Sequence, residues 1–369
     1  MNLKKIAKKI CAAVTAGIIG FTFAYSPVLT PTVAEAAAKG KAEQALEEYM
    51  SSHSLKELNT TSEGQLAIYN YMREKYGVSS DPNKTARLNS MMTELTNAVA
   101  AVDPTIHDLP YVYFVNTDKS FNAFCSFAHV MSVNSGAFDL VANDDELATI
   151  IGHEMGHGQK EHAYKGTKKT QQKVMWANVA AAAIGGGAVT NVLGSILLNQ
   201  SVVQGNIRYE KEADNLAFEY IVNTNYNPGA CAAIWQRVID KYGTTAEQST
   251  AEMFFNPSDH PNHLARRDKY IKKLNEYSGK HVSVNDNGMV TIDKKDFIIP
   301  AALANDSMSS MERACFVLGN LAKAYHNGQN KYDATVSNGT VYLGNQPIIT
   351  PVSGDESAQT IADRLNEIK

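Results

Sequence analysis

Two histidines four residues apart, with a glutamate directly after the first, carry the clearest chemistry of this 369-residue chain: His153, Glu154 and His157 in ATIIGHEMGHGQKEH (148–162). On an α-helix, positions i and i+4 lie one turn apart on the same face, so His153 and His157 can bring two imidazole nitrogens to one ion. Glu154 is adjacent and can reach a water held there, as a general base would. Zinc suits two nitrogens and an oxygen, with a fourth position left for water. The pattern alone also arises by chance, so its setting decides. Leu147, Ile150 and Ile151 give the helix an apolar stripe, and Asn143 with Glu146 has the spacing of a capping box at its start. Gly152, Gly156 and Gly158 let other backbone come close, at a cost in helix stability that a stray surface helix would seldom carry.

The motif lacks a third ligand. His162 lies roughly 140° around a continuous helix from His157, which directs it to solvent or behind the ligands rather than onto the ion. A better candidate is RYEKEADNLAFEY (208–220), where Glu210 and Asp214 share a face and Glu212 points away from them. Asp214 can then accept the outer N–H of a metal-bound histidine and fix its tautomer. No two of the four cysteines have zinc-knuckle spacing, so any metal falls to histidine and carboxylate. Cys125, Cys231 and Cys315 are too scattered for a disulfide framework, although one bridge suits an oxidising compartment.

These residues need a scaffold. From Lys41 to about Asp103 apolar residues recur at three- and four-residue steps, and Asp81 before Pro82 reads as a helix cap followed by a first-turn proline. LPYVYFVN (109–116) and FAHVMSVNSGAF (127–138) read as strands. HVMSV (129–133) then offers an edge to which an extended peptide could add. Val174–Leu198 is an uncharged run long enough for a membrane span, but its polar residues and three consecutive glycines favour a buried or interfacial helical hairpin, with membrane-surface contact open to it. Three further helices follow, the last ending at Gly279.

Taken in order, these segments resemble a family: the zinc metallopeptidases that include the CAAX prenyl endopeptidases and bacterial envelope quality-control proteases. The resemblance runs from about Asp81 to Tyr270, through FNAF (121–124), VNSGAF (133–138), DDELATIIGHEMGHGQKEHA (144–163), RYEKEADNLAFEYI (208–221) and SDHPNHLARR (258–267). It implies one Zn2+ per chain held by His153, His157 and Glu210, with Glu154 as general base and Asp214 behind the ligands. It further matches His260 to a histidine that in relatives lies near the active site, where it can stabilise the oxyanion or approach the metal, and Arg266 to an arginine near the same site. Asn122, Ala123 and Phe124 of FNAF, with His129, Val130 and Met131 of the HVMSV edge, are the expected substrate-contacting residues. CSFAHV (125–130) replaces a Pro-Gly-Gly-like stretch there, so His129 stands where a small residue is common. The implied fold is α+β: a mainly helical zincin-type domain with a small sheet beside the active-site helix. The implied activity is a metalloendopeptidase acting on polypeptides, with misfolded or misassembled envelope proteins as substrates. A chaperone-like assembly factor with a regulatory zinc is the alternative.

Composition bounds the rest. A basic start (Lys4, Lys5, Lys8, Lys9), an apolar run from Cys11 to Tyr25 and small residues around Ala36 and Ala38 read as a signal peptide over 1–38, so export to the periplasm, cell envelope or exterior is expected. Without that segment the formal charge of −4 falls to −7, which leaves no electrostatic footprint for nucleic acid. The metallopeptidase domain then covers 39–279, as a helical scaffold (39–103) and a catalytic core (104–279). In 280–369, GMVTIDKKDFIIP (288–300) and GTVYLGNQPIITP (339–351) align without a gap and each precedes a helical segment. This is a degenerate hairpin-helix repeat making a small α+β domain whose partner the sequence does not name.

Overall fold

A computed structural model of the chain describes residues 40–183, 207–243, 263–304 and 307–369. The signal-peptide segment, most of the uncharged run 174–198 and His260 lie outside these residues. Among the described residues no helix is long and apolar enough to cross a membrane.

The N-terminal part is helical as its periodicity predicts: α1 (Lys41–Ser52), α2 (Leu55–Thr60), α3 (Ser62–Tyr76) and α4 (Pro82–Val102). Asp81 caps α4, its carboxylate accepting the N–H groups of Asn83 and Lys84. A three-stranded sheet follows, built from β1 (Val112–Asn116), β2 (Ala123–Cys125) and β3 (Val130–Asn134) in the order β1-β3-β2. Here the structure corrects the sequence reading. β3 pairs in parallel with β1 and antiparallel with β2, so it is the central strand and HVMSV offers no edge. Val130 and Met131 are fully buried in the middle of the sheet. The edge beside the active-site helix belongs to β2, which the sequence reading did not resolve as a strand.

The helices that carry the motifs are α5 (Asp144–Gln159), α6 (His162–Ala183), α7 (Ile207–Ile221), α8 (Ala230–Tyr242) and α9 (His263–Tyr277). Half of the expected capping box forms at α5: Asn143 accepts the Glu146 N–H, but the Glu146 carboxylate turns to the Ala142 N–H and to Arg237. Backbone packs closely where glycine allows it. A Cβ on Gly156 would lie 3.1 Å from Ala213 Cα, so α5 and α7 approach there nearly to backbone contact.

The C-terminal part holds β4 (Val282–Val284), β5 (Val290–Ile292), β6 (Lys295–Ile298), α10 (Ser310–His326), β7 (Ala334–Ser337), β8 (Thr340–Leu343), β9 (Gln346–Ile349) and α11 (Ala358–Ile368). Each aligned copy is a three-stranded meander followed by a helix, one strand more than the expected hairpin. The copies match in detail. Val290 pairs with Ile298 as Val341 pairs with Ile349, and both ladders carry a register shift just after that first pair. The Ala301 and Val352 amides, which follow the two matching prolines, donate to the same Asp355 carboxylate.

One apolar cluster runs from Leu88 in α4 through α5, α7, α8 and α9 to Leu365 in α11, and a second joins α1 to α3 with Phe114, Phe124 and Phe127. Inside the first, Arg237 of α8 bonds Glu146 of α5 at 2.9 Å and pairs with Glu312 of α10. Burial and the facing Glu146 carboxylate push Glu312 up to about 9. A carboxyl that keeps its proton in the folded chain above its ordinary value of 4.5 loses stability for the fold as pH rises between the two values. Glu312→Gln, which removes that titration, is therefore expected to gain stability over wild type from pH 5 to pH 8.5. Parallel urea-denaturation profiles across that range would contradict the pairing.

Candidate active site

α5 and α7 pack side by side, and their facing surfaces supply the three donors. His153 Nε2 and His157 Nε2 lie 3.1 Å apart, and each is 3.4 Å from an oxygen of Glu210. The three residues are buried and form the one group of potential metal-holding side chains among the described residues. Ligand atoms about 2.0–2.1 Å from one ion in tetrahedral array stand about 3.3–3.4 Å apart, so the donor spacing and the two-imidazole, one-carboxylate chemistry fit a zinc-sized cation. Burial alone would raise the Glu210 carboxyl, yet hydrogen bonds to His153 and His157 hold it well below the usual range. It is an anion poised between two imidazoles.

Behind His153, the Nδ1 atom is 3.1 Å from Asp214 Oδ1. Asp214 is 2% exposed, and two further groups fix it: the Arg266 guanidinium grips both carboxylate oxygens, and the Tyr270 hydroxyl donates at 3.2 Å to Oδ1 and at 3.0 Å to its carbonyl. Against the burial that would raise it, the Arg266 charge holds Asp214 well below the ordinary carboxylate range. Arg266 itself lies over the Trp235 ring at 3.6 Å.

Glu154 is one residue on from His153 and buried, and its Oε2 accepts the Cys125 N–H of β2 at 2.8 Å. Burial pushes its carboxyl up, while His157 and His153 pull against that shift. The backbone at this edge has a defined polarity. The Asn134 N–H bonds the Asn122 carbonyl and the Ser126 N–H bonds the Val130 carbonyl, so Asn122, Phe124 and Ser126 face β3. Ala123 and Cys125 therefore turn their backbone groups the other way. The side-chain Oδ1 of Asn122 has no hydrogen-bond partner among the described residues.

His129 sits elsewhere. It precedes β3 in a left-handed turn, Ala128 and His129 having φ of 51° and 57°. Its ring stacks on Tyr111 and its Nδ1 bonds the Leu109 carbonyl at 2.6 Å, so it is committed to packing. The scaffold helices hold this strained turn: Asn59 of α2 accepts the Ala128 N–H, and Gln65 of α3 donates to the Ala128 carbonyl.

His162 and Glu212, which their spacing keeps off the ion, stand behind His157. His162 is buried at 1% exposure, and its Nδ1 is 3.0 Å from His157 Nδ1. Glu212, expected to point away, lies 3.3 Å from His162 Nε2. Of the two places its spacing allows, solvent or behind the ligands, His162 takes the second, because α5 ends at Gln159 and Glu161 takes a left-handed φ of 52° before α6 begins. The signal that could have shown this was KEH after a glycine-rich helix end. Cys125, Cys231 and Cys315 are buried and unbridged.

A buried helix that presents two histidines one turn apart, completed by a glutamate from a second helix, defines the zinc-peptidase class of active site. Residues 82–276 match the profile described as Peptidase family M48, and the chain belongs to that family. Over 176 residues it is 31% identical to Metalloprotease LoiP of Escherichia coli (strain K12), covering 45% of this chain and 64% of the relative. It is also similar to the Beta-barrel assembly-enhancing protease of the same organism, with 23% identity over 197 residues, 50% of this chain and 39% of the relative. A putative beta-barrel assembly-enhancing protease of Vibrio cholerae is 24% identical over 187 residues, 37% of its length. The chain thus spans less than two thirds of each of these relatives.

Proposed function

We propose that the protein is an exported zinc-dependent endopeptidase that cuts extended segments of misfolded or misassembled envelope proteins. The observation that carries this reading is the His153, His157 and Glu210 donor triangle with Glu154 beside it. These three would hold the metal, and when bound it would polarise the scissile carbonyl and acidify a water. Glu154 takes the proton from the attacking water and delivers it to the leaving amine, and its buried setting suits a carboxyl that must both gain and lose a proton. Asp214, held by Arg266, keeps His153 in the tautomer whose Nε2 faces the donor triangle. The Cys125 N–H steadies the Glu154 carboxylate. His260 is assigned the oxyanion role on resemblance.

Substrate is taken to lie along β2, an edge strand of the sheet, rather than along the central HVMSV strand. The outward backbone of Ala123 and the unpartnered Asn122 Oδ1 support Asn122 and Ala123 as contacting residues, whereas Phe124 faces β3 and packs in the second apolar cluster. The central position of Val130 and Met131 and the packing of His129 leave those three a supporting role. The basic and apolar start of the chain and the printed names of the relatives support an envelope location. Residues 39–279 and 280–369 are taken as catalytic and accessory units sharing one core.

The test is cleavage of unfolded casein by the full chain. Activity is expected to vanish on chelation and to return with one equivalent of zinc per chain. Undiminished cleavage by stripped protein would exclude the reading.

A further inference from the structure

The two histidines of the donor triangle are backed differently. His153 leans on a buried carboxylate, Asp214, whereas His157 leans on another histidine. His157 Nε2 faces His153 Nε2 at 3.1 Å and Glu210 at 3.4 Å, so the lone pair of that nitrogen serves the ion and the single ring proton of a neutral imidazole sits on Nδ1. That proton meets His162 Nδ1 at 3.0 Å. His162 must then accept at Nδ1 and carry its own proton on Nε2, where Glu212 Oε2 stands 3.3 Å away. Tyr209 stacks on the His162 ring at 4.2 Å and 12°, which fixes its rotation. All three supports come from α6 and α7, outside the motif.

We propose that His162 is a positioning residue for His157, with Glu212 setting its tautomer, so that a one-way chain of donors, His157 to His162 to Glu212, orients the second metal ligand. Because Glu212 is half-exposed, at 42%, and His162 is buried at 1%, the histidine carries the larger share.

The proposal rests on the metal reading of His153, His157 and Glu210, so the test reads zinc affinity of the full chain by competition with a chromophoric chelator, with circular dichroism to check folding. Tight zinc binding by wild type that is lost in His157→Ala establishes the underlying site; without it, that reading fails before His162 is in question. Given the site, His162→Phe, which keeps a ring but no acceptor, is expected to weaken zinc binding about 10- to 100-fold. His162→Asn, which keeps an acceptor oxygen near the Nδ1 position, is expected to bind within about threefold of wild type. Glu212→Ala is expected to lose about three- to tenfold in the wild-type background and nothing further beside His162→Phe. Wild-type affinity in His162→Phe, or equal losses in the Phe and Asn variants, would overturn the proposal. If His162→Phe does not fold, Glu212→Ala decides, and unchanged zinc affinity there would overturn it.

Discussion

Glu154→Gln is expected to lower kcat/KM for casein by about a thousandfold, within the range for removal of a general base, while zinc content stays at the wild-type level. The glutamine fills the same buried volume, and its amide oxygen can still accept the Cys125 N–H that the carboxylate accepts at 2.8 Å. What it cannot do is take up a proton. Glu154 is also absent from the donor triangle, so the metal should not follow the activity. Loss of both together would move Glu154 from proton transfer to metal retention. Cleavage within tenfold of wild type would remove it from the chemistry altogether.

The second large effect is on stability. Arg266→Ala leaves Asp214 as a buried charge without its partner, a change that costs about 3–5 kcal/mol. The position is well suited to show the full cost. Arg266 and Asp214 are each 2% exposed, and the guanidinium also covers the Trp235 face at 3.6 Å. Arg266→Lys keeps the charge but not the two-pronged grip, and should fall between. The readout is urea denaturation of metal-free protein, which separates the ion pair from any zinc contribution. A loss below about 1 kcal/mol would show that Asp214 finds another partner or a proton.

How much of this was legible in the sequence depends on whether an interaction is local. His153 and His157 follow from helical spacing alone, and Glu210 with Asp214 from the same rule applied to a second helix. The Asp81-Pro82 cap of α4 is likewise a four-residue matter. The order of strands is not local. β3 reads as a good edge strand because nothing in HVMSV says that β1 and β2 will flank it, and β2 is only three residues long, too short to show alternation. Spacing leaves His162 undecided between solvent and a place behind the ligands for a related reason. A helical wheel assumes an unbroken helix, and the left-handed Glu161 redirects the chain just before the histidine. Glu146 shows the same limit at the other end of α5, where a buried arginine 91 residues away outcompetes the local capping box. The C-terminal repeat was visible because equivalent positions keep similar residues, but its extra strands, Val282–Val284 and Ala334–Ser337, share little sequence.

Zinc K-edge X-ray absorption of the full chain loaded with one equivalent of zinc tests the central claim most directly. The donor triangle predicts two imidazole nitrogens and a carboxylate oxygen at about 2.0–2.1 Å, with one imidazole lost in His153→Ala. A sulfur shell at about 2.3 Å, as Cys125 would give, or a spectrum unchanged by both His153→Ala and Glu210→Ala, would contradict it.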